Sequence, residues 1–170
     1  MAAAFVNTAE EAELGAQSCR YPPTGTRGWG PHRATRYGLM DNDMYEREVA
    51  DHVMFIPIIE TAQAIENIDA IMAVDGVDTV LVGPADLSIS LGAPFDFACQ
   101  DYRNAQRKVV DACRAVGKPA GTAKLGSPFD TKAIQSHLDL GFTVIMVGED
   151  VWYLTASCRI VNDICKQVGC

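Results

Sequence analysis

No apolar stretch in this chain of 170 residues approaches the roughly 18 needed to span a bilayer, which excludes a transmembrane helix. Basic runs are missing as well: 14 Lys and Arg stand scattered against 22 Asp and Glu, for a net charge of −8, so the chain has no footprint for phosphate backbones and nucleic acid is not an expected partner. The six cysteines (Cys19, Cys99, Cys113, Cys158, Cys165 and Cys170) form no Cys-x-x-Cys pair and show no zinc-ligand spacing, so reduced thiols are expected rather than a disulfide framework. Met1 to Val6 has neither a basic n-region nor a full h-region, so it is not read as a secretory signal, and a cytoplasmic location is expected. With 48% apolar and 21% charged residues, disorder is not expected and one domain over residues 1–170 is.

What is present is a strict alternation of strand-like and helix-like segments. Met1 to Val6 reads as a strand and is followed by a helix from Thr8 to about Arg20, with Thr8 and Glu11 spaced as a capping box. Tyr21 to Pro31 holds three prolines and three glycines in eleven residues and is expected to be a loop. A helix from about Asp41 to Ala50, a strand at 53–59, a helix from Thr61 to Val74 and a strand at 79–83 follow. After a loop through Gly92-Ala93-Pro94 come a helix at 98–116, a strand at 118–123, a helix at 130–140, a strand at 143–148 and a last helix from Val151 to Val168. Such alternation predicts a parallel sheet of about five strands with right-handed crossovers.

Two acids mark the carboxyl ends of the most apolar runs. Glu60 closes Val53 to Ile59, and Asp86 follows Thr79 to Ala85 one strand-helix repeat later. Ligands bind beyond the carboxyl ends of parallel strands, so this placement suits a metal site. The bland alternative is that each acid caps the helix that follows it.

Other residues invite a role less strongly. His32, in the proline- and glycine-rich region, is a weak candidate base, while His52 and His137 read as surface or helix-face residues. Arg27 and Trp29 could clamp a ligand but read better as anchors of their loop. Lys124 would stand at the same rim as the acids, where a Schiff-base lysine is conceivable. Glu149 and Asp150 also reach that rim, with Asp150 placed to cap the last helix.

The motifs Glu60-Thr61, Asp75-Gly76-Val77-Asp78, Val82-Gly83-Pro84-Ala85-Asp86-Leu87-Ser88, Leu91-Gly92 and Arg20-Tyr21-Pro22-Pro23 with Gly25 and Arg27-Gly28 resemble the HpcH/HpaI aldolases, as does the helix start Asn7 to Ala12. The resemblance implies a modified (β/α)8 barrel and a metal-dependent carbon–carbon lyase acting on a 2-oxo acid such as a 4-hydroxy-2-oxo acid or oxaloacetate. By the same resemblance, Glu60 and Asp86 hold a divalent metal (magnesium, manganese or cobalt), and the backbone N–H groups of Ala85 and Asp86 cradle the substrate carboxylate. An eight-stranded barrel takes about 250 residues, so a partial barrel of about five strands is expected, truncated at its amino terminus before the fourth strand. The family's histidine and arginine lie on those earlier strands, leaving the catalytic base of this chain unassigned. Ile58 stands where the family commonly has Gln.

Family members exchange the last helix between subunits, and Trp152, Tyr153, Leu154, Ile160 and Ile164 give this one a wide apolar surface, so a homo-oligomer is expected. Two other classes of function stand beside the lyase: a non-catalytic scaffold, and the same site turned to other enolate or cyclisation chemistry.

Overall fold

The computed structural model describes residues 1–169 as one parallel sheet whose strands lie side by side in chain order. Strand β1 (Ala2–Ala3) pairs with β2 (Ile56–Ile59), which pairs with β3 (Val80–Val82), then β4 (Ala120–Lys124), then β5 (Val144–Val147), every pair parallel. This is the parallel sheet of about five strands that the alternating pattern implied, with a shorter first strand.

Helices stand between the strands in the chain and after the last of them. They are α1 (Ala9–Ser18), α2 (Asn42–Glu48), α3 (Ala62–Glu66), α4 (Ile68–Ala73), α5 (Pro84–Ser90), α6 (Gln100–Ala115), α7 (Thr131–Leu140) and α8 (Asp150–Val168). The start of α1 is fixed as its sequence dictates: the Thr8 hydroxyl accepts from the Glu11 amide, and the Glu11 carboxylate accepts from Thr8 N. Ile59, Val80 and Val82 bury fully against Ile68, Ile71, Met72 and Val109, so the core lies between the sheet and α4 and α6. At Gly15 a Cβ would stand 2.1 Å from the buried Phe55 ring, so α1 packs on the sheet through that gap.

Among the differences from the sequence reading, three lie in the helices. The helix expected over 61–74 is two, α3 and α4, broken at Asn67, whose side-chain amide donates to Asn7 O at 2.8 Å. A tertiary bond to the turn after β1 thus outweighs helix continuity. Residues 84–90, between the strand at 79–83 and the loop through Gly92, form α5 with Pro84 at its first position, where proline's missing N–H costs nothing. Helix α8 begins one residue early: Glu149 is its N-cap without a side-chain cap bond, and the Asp150 carboxylate instead accepts from Val151 N at 2.8 Å.

The loop after α1 is ordered around aromatic rings. Trp29 lies 5.3 Å from Tyr21 and 5.8 Å from the buried Tyr45, centroid to centroid, and the Arg27 guanidinium sits 4.7 Å above Tyr21. These contacts give Arg27 and Trp29 the anchoring role. Among the described residues none of α8 is fully buried, and Leu154, Ile160, Val161 and Ile164 are each more than half exposed. No described helix is long and apolar enough to cross a membrane.

Candidate metal centre

Glu60 directly follows β2 and is 94% buried, a place where a carboxylate is costly unless something compensates it. Part of the compensation is visible: Phe5 N donates to Oε1 at 2.7 Å. Phe5 holds a left-handed backbone at φ 53°, which costs a bulky residue about 1 kcal/mol, so the turn after β1 is bent at some expense while aiming this amide at Glu60. The helix-capping role that Glu60 could have had belongs to Thr61, whose hydroxyl accepts from Ala64 N at 3.0 Å and donates to Asn7 Oδ1.

Gly83 makes room beside that carboxylate. Its N–H donates to Ile59 O at 3.1 Å, extending the ladder one step past β3, and a Cβ on it would fall 2.7 Å from Glu60 Oε2. The same Cβ would meet Ile58 Cγ2 at 3.2 Å, so Ile58, Glu60 and Gly83 share one face of the sheet, and Ile58 supplies an apolar wall next to the carboxylate.

Asp86 enters from α5. The sequence reading set it at a strand end; it is in fact the third residue of the helix, exposed, and one turn beyond Gly83. Among the described residues its carboxylate takes part in no hydrogen bond or ion pair, so it does not cap α5 in the manner of the bland reading. It is close enough to Glu60 to act on it. Burial first, and the Asp86 charge as well, push the Glu60 carboxyl above its ordinary value, while the Phe5 amide pulls the other way.

Two carboxylates that repel each other, one buried and one open to solvent, suit a cation between them. No cluster of three or more His, Cys, Asp or Glu side chains placed to hold a metal occurs among the described residues. Two hard oxygen donors with open positions instead fit a dication that keeps water or substrate oxygens in its shell. At the start of α5, the N–H groups of Ala85 and Asp86 precede the helix's Leu87 N to Gly83 O bond of 3.0 Å and belong to the first-turn donors that seek outside acceptors.

The other sequence candidates fall elsewhere. His32 is exposed, and the bonds at this residue are local: its carbonyl accepts from Tyr37 N at 2.7 Å and from the Thr35 hydroxyl at 3.1 Å. Lys124 lies at the same end of the sheet as the acids but on the opposite face. It shares a side with Thr122, which is in register with Val82 and through it with Ile59, whereas Glu60 is one residue on from Ile59. Sequence reasoning missed Phe5 and the spatial role of Gly83; the Val82-Gly83-Pro84 junction was the available signal for the latter.

The HpcH/HpaI aldolase/citrate lyase model matches residues 3–155. The chain belongs to that family. Among HpcH/HpaI relatives, it is 38% identical over 153 residues to a 2-keto-3-deoxy-L-rhamnonate aldolase of Klebsiella pneumoniae, covering 89% of this chain and 55% of that one. It is 34% identical over 164 residues to the 5-keto-4-deoxy-D-glucarate aldolase of Escherichia coli K12, covering 96% and 62%. The crystal structure of an HpcH/HpaI aldolase/citrate lyase family protein from Burkholderia cenocepacia superposes with a TM-score of 0.83 at 26% identity, over 97% of this chain and 64% of the other. The chain thus spans somewhat over half the length of the curated HpcH/HpaI relatives it matches.

Proposed function

We propose that this chain carries the metal-binding part of a carbon–carbon lyase site for a 2-oxo acid, with Glu60 and Asp86 as the protein ligands of a magnesium, manganese or cobalt ion. The observation that supports it most directly is the Glu60 carboxylate, buried in a gap left by Gly83 and facing the charge of Asp86. A divalent metal bound there would act as a Lewis acid on the keto oxygen of the substrate.

The residues of this chain do the rest of the binding. Glu60, fixed by Phe5 N, sets the inner ligand position, while Asp86 is carried in the first turn of α5, which has no side-chain cap. The N–H groups of Ala85 and Asp86 receive the substrate carboxylate, an anion suited to that helix end. Ile58 brings no proton to the site and keeps water off one side of Glu60. The named relatives act on keto-deoxy sugar acids, which favours a substrate of that class: a 2-oxo acid with a hydroxyl-bearing carbon at the bond to be cleaved.

Association belongs to the same reading. The apolar side chains exposed on α8 would be covered by another copy of the chain, so sedimentation should show a dimer or larger species, and a monomer at micromolar concentration would refute this.

The metal reading is tested by titrating Mn²⁺ into the protein, with Glu60→Gln and Asp86→Asn alongside. Each substitution should weaken binding at least about 100-fold, near 3 kcal/mol. Unchanged affinity in Asp86→Asn would remove this site from consideration. Where Mn²⁺ binds, pyruvate or oxalate should bind with it, and steady-state assays with oxaloacetate and a 4-hydroxy-2-oxo acid then report whether cleavage follows.

A further inference from the structure

A cleft of about 620 Å³ opens between α6 and α7, with Lys124 at the end of β4 and Pro84 at the start of α5 also on its lining. That volume lies within the range of small-molecule sites, about 300 to 1,000 Å³. Lys124 lines it at 2% exposure, with Nζ donating to the Ser127 carbonyl. Among the described residues Lys124 forms no ion pair, and a buried ammonium without an anionic partner is unfavourable unless an anion joins it.

The surroundings add positive charge. Arg103 and Arg107, four residues apart on α6 and exposed, stand on the lining. Across from them, the half-buried His137 of α7 is held below its ordinary value by burial and by the Lys124 charge, which sets the two side chains close together. The acid on the lining, Asp139, is exposed and accepts from Gln135 Nε2 at 2.8 Å. Phe97, Tyr102 and Leu125 supply apolar wall.

We infer that this cleft binds a small organic anion, its carboxylate or phosphate head against Lys124 with Arg103 and Arg107 at the mouth, and its flat apolar body against Phe97, Tyr102 and Leu125. Lys124 provides a point charge inside the cleft, and the two arginines provide planar donors at the rim. Neither Glu60 nor Asp86 lines this cleft, although Pro84, two residues before Asp86, does.

Phenyl phosphate and benzoate, titrated by calorimetry into the full chain in EDTA, test this with inorganic phosphate as control. At least one aromatic anion should bind saturably, about tenfold tighter than inorganic phosphate, and the better of the two identifies the preferred head group. Lys124→Met, which keeps the chain length and removes the charge, should weaken that binding about tenfold or more, and Arg107→Gln, at an exposed position that leaves the core untouched, about threefold or more. Failure of both probes to saturate, or binding within twofold of the parent in Arg107→Gln and in any folded Lys124→Met protein, would overturn the inference.

Discussion

Replacing Gly83 by Ala probes the proposed metal centre without touching either proposed ligand. The Gly83 backbone, at φ −88° and ψ 96°, is open to any L-residue, so the added methyl introduces no backbone strain. The effect comes from where that methyl lands: 2.7 Å from Glu60 Oε2 and 3.0 Å from Glu60 Cβ, against an ordinary contact of 3.4 Å or more. The carboxylate must retreat by about 0.7 Å, while its other oxygen is tied to Phe5 N at 2.7 Å. Rotating away breaks that bond, and staying leaves an overlap. A charge-assisted hydrogen bond is worth about 1.5 to 3 kcal/mol, and metal ligation tolerates errors of only about 0.2 Å in distance. We therefore expect Mn²⁺ affinity to fall about 10- to 100-fold, or roughly 1.4 to 2.8 kcal/mol. The metal-free protein should lose no more than about 1 to 3 kcal/mol of stability, the usual cost of one extra methyl in a packed place. Calorimetric titration with Mn²⁺, paired with urea unfolding in EDTA, separates the two effects. Mn²⁺ affinity within twofold of the parent in a folded Gly83→Ala protein would refute the placement of Glu60 as a ligand.

Three further outcomes rest on other parts of the fold. The His137 imidazole is depressed by burial and by Lys124, so the stability it contributes is complete above the ordinary histidine value of about 6.5 and is lost as pH falls through its lower folded value; melting curves from pH 7.5 to 5 should show a decline that His137→Gln makes shallower, and an identical decline in the variant would refute this. Gly15→Ala places a methyl 2.1 Å from Phe55, and the overpacking, about 1 to 3 kcal/mol, should exceed the helix-propensity gain of about 1 kcal/mol, so a stabilised variant in urea unfolding would contradict the close approach of α1. Thr8→Ala removes one arm of the capping box and should cost about 1 kcal/mol by the same measurement, while a loss under 0.3 kcal/mol would show that Glu11 holds the turn alone.

The parallel sheet was legible because its central strands read as unbroken apolar runs, as in Phe55 to Ile59 and Val80 to Val82, with one face fully buried under the helices and the other only partly exposed. Short elements were harder. Helix α5 spans two turns, carries two serines and starts at a proline, so its own propensity is weak and its docking onto the core through Leu87 decides the matter. Lys124 shows how sharply facing depends on register: a strand taken to end at residue 123 leaves Lys124 free on the rim, whereas a strand running through 124 commits it to the helix side. The candidate pair Glu60 and Asp86 was suggested by a motif, but the amide that holds Glu60 comes from Phe5, 55 residues earlier, and a contact of that range leaves no local pattern.

The strand order has a consequence for how the molecule assembles. Since β1 to β5 neighbour one another in the order in which they are translated, each new strand meets a partner that already exists, and no gap has to be held open for a later segment. The sheet can therefore grow by accretion from the amino end, one strand-helix unit at a time, as the polypeptide leaves the ribosome. The Glu60 carboxylate reaches its Phe5 donor as soon as β2 docks on β1, and Asp86 arrives only with the next unit. Glu60 is thus positioned before Asp86, its partner in the proposed ligand pair, has been made.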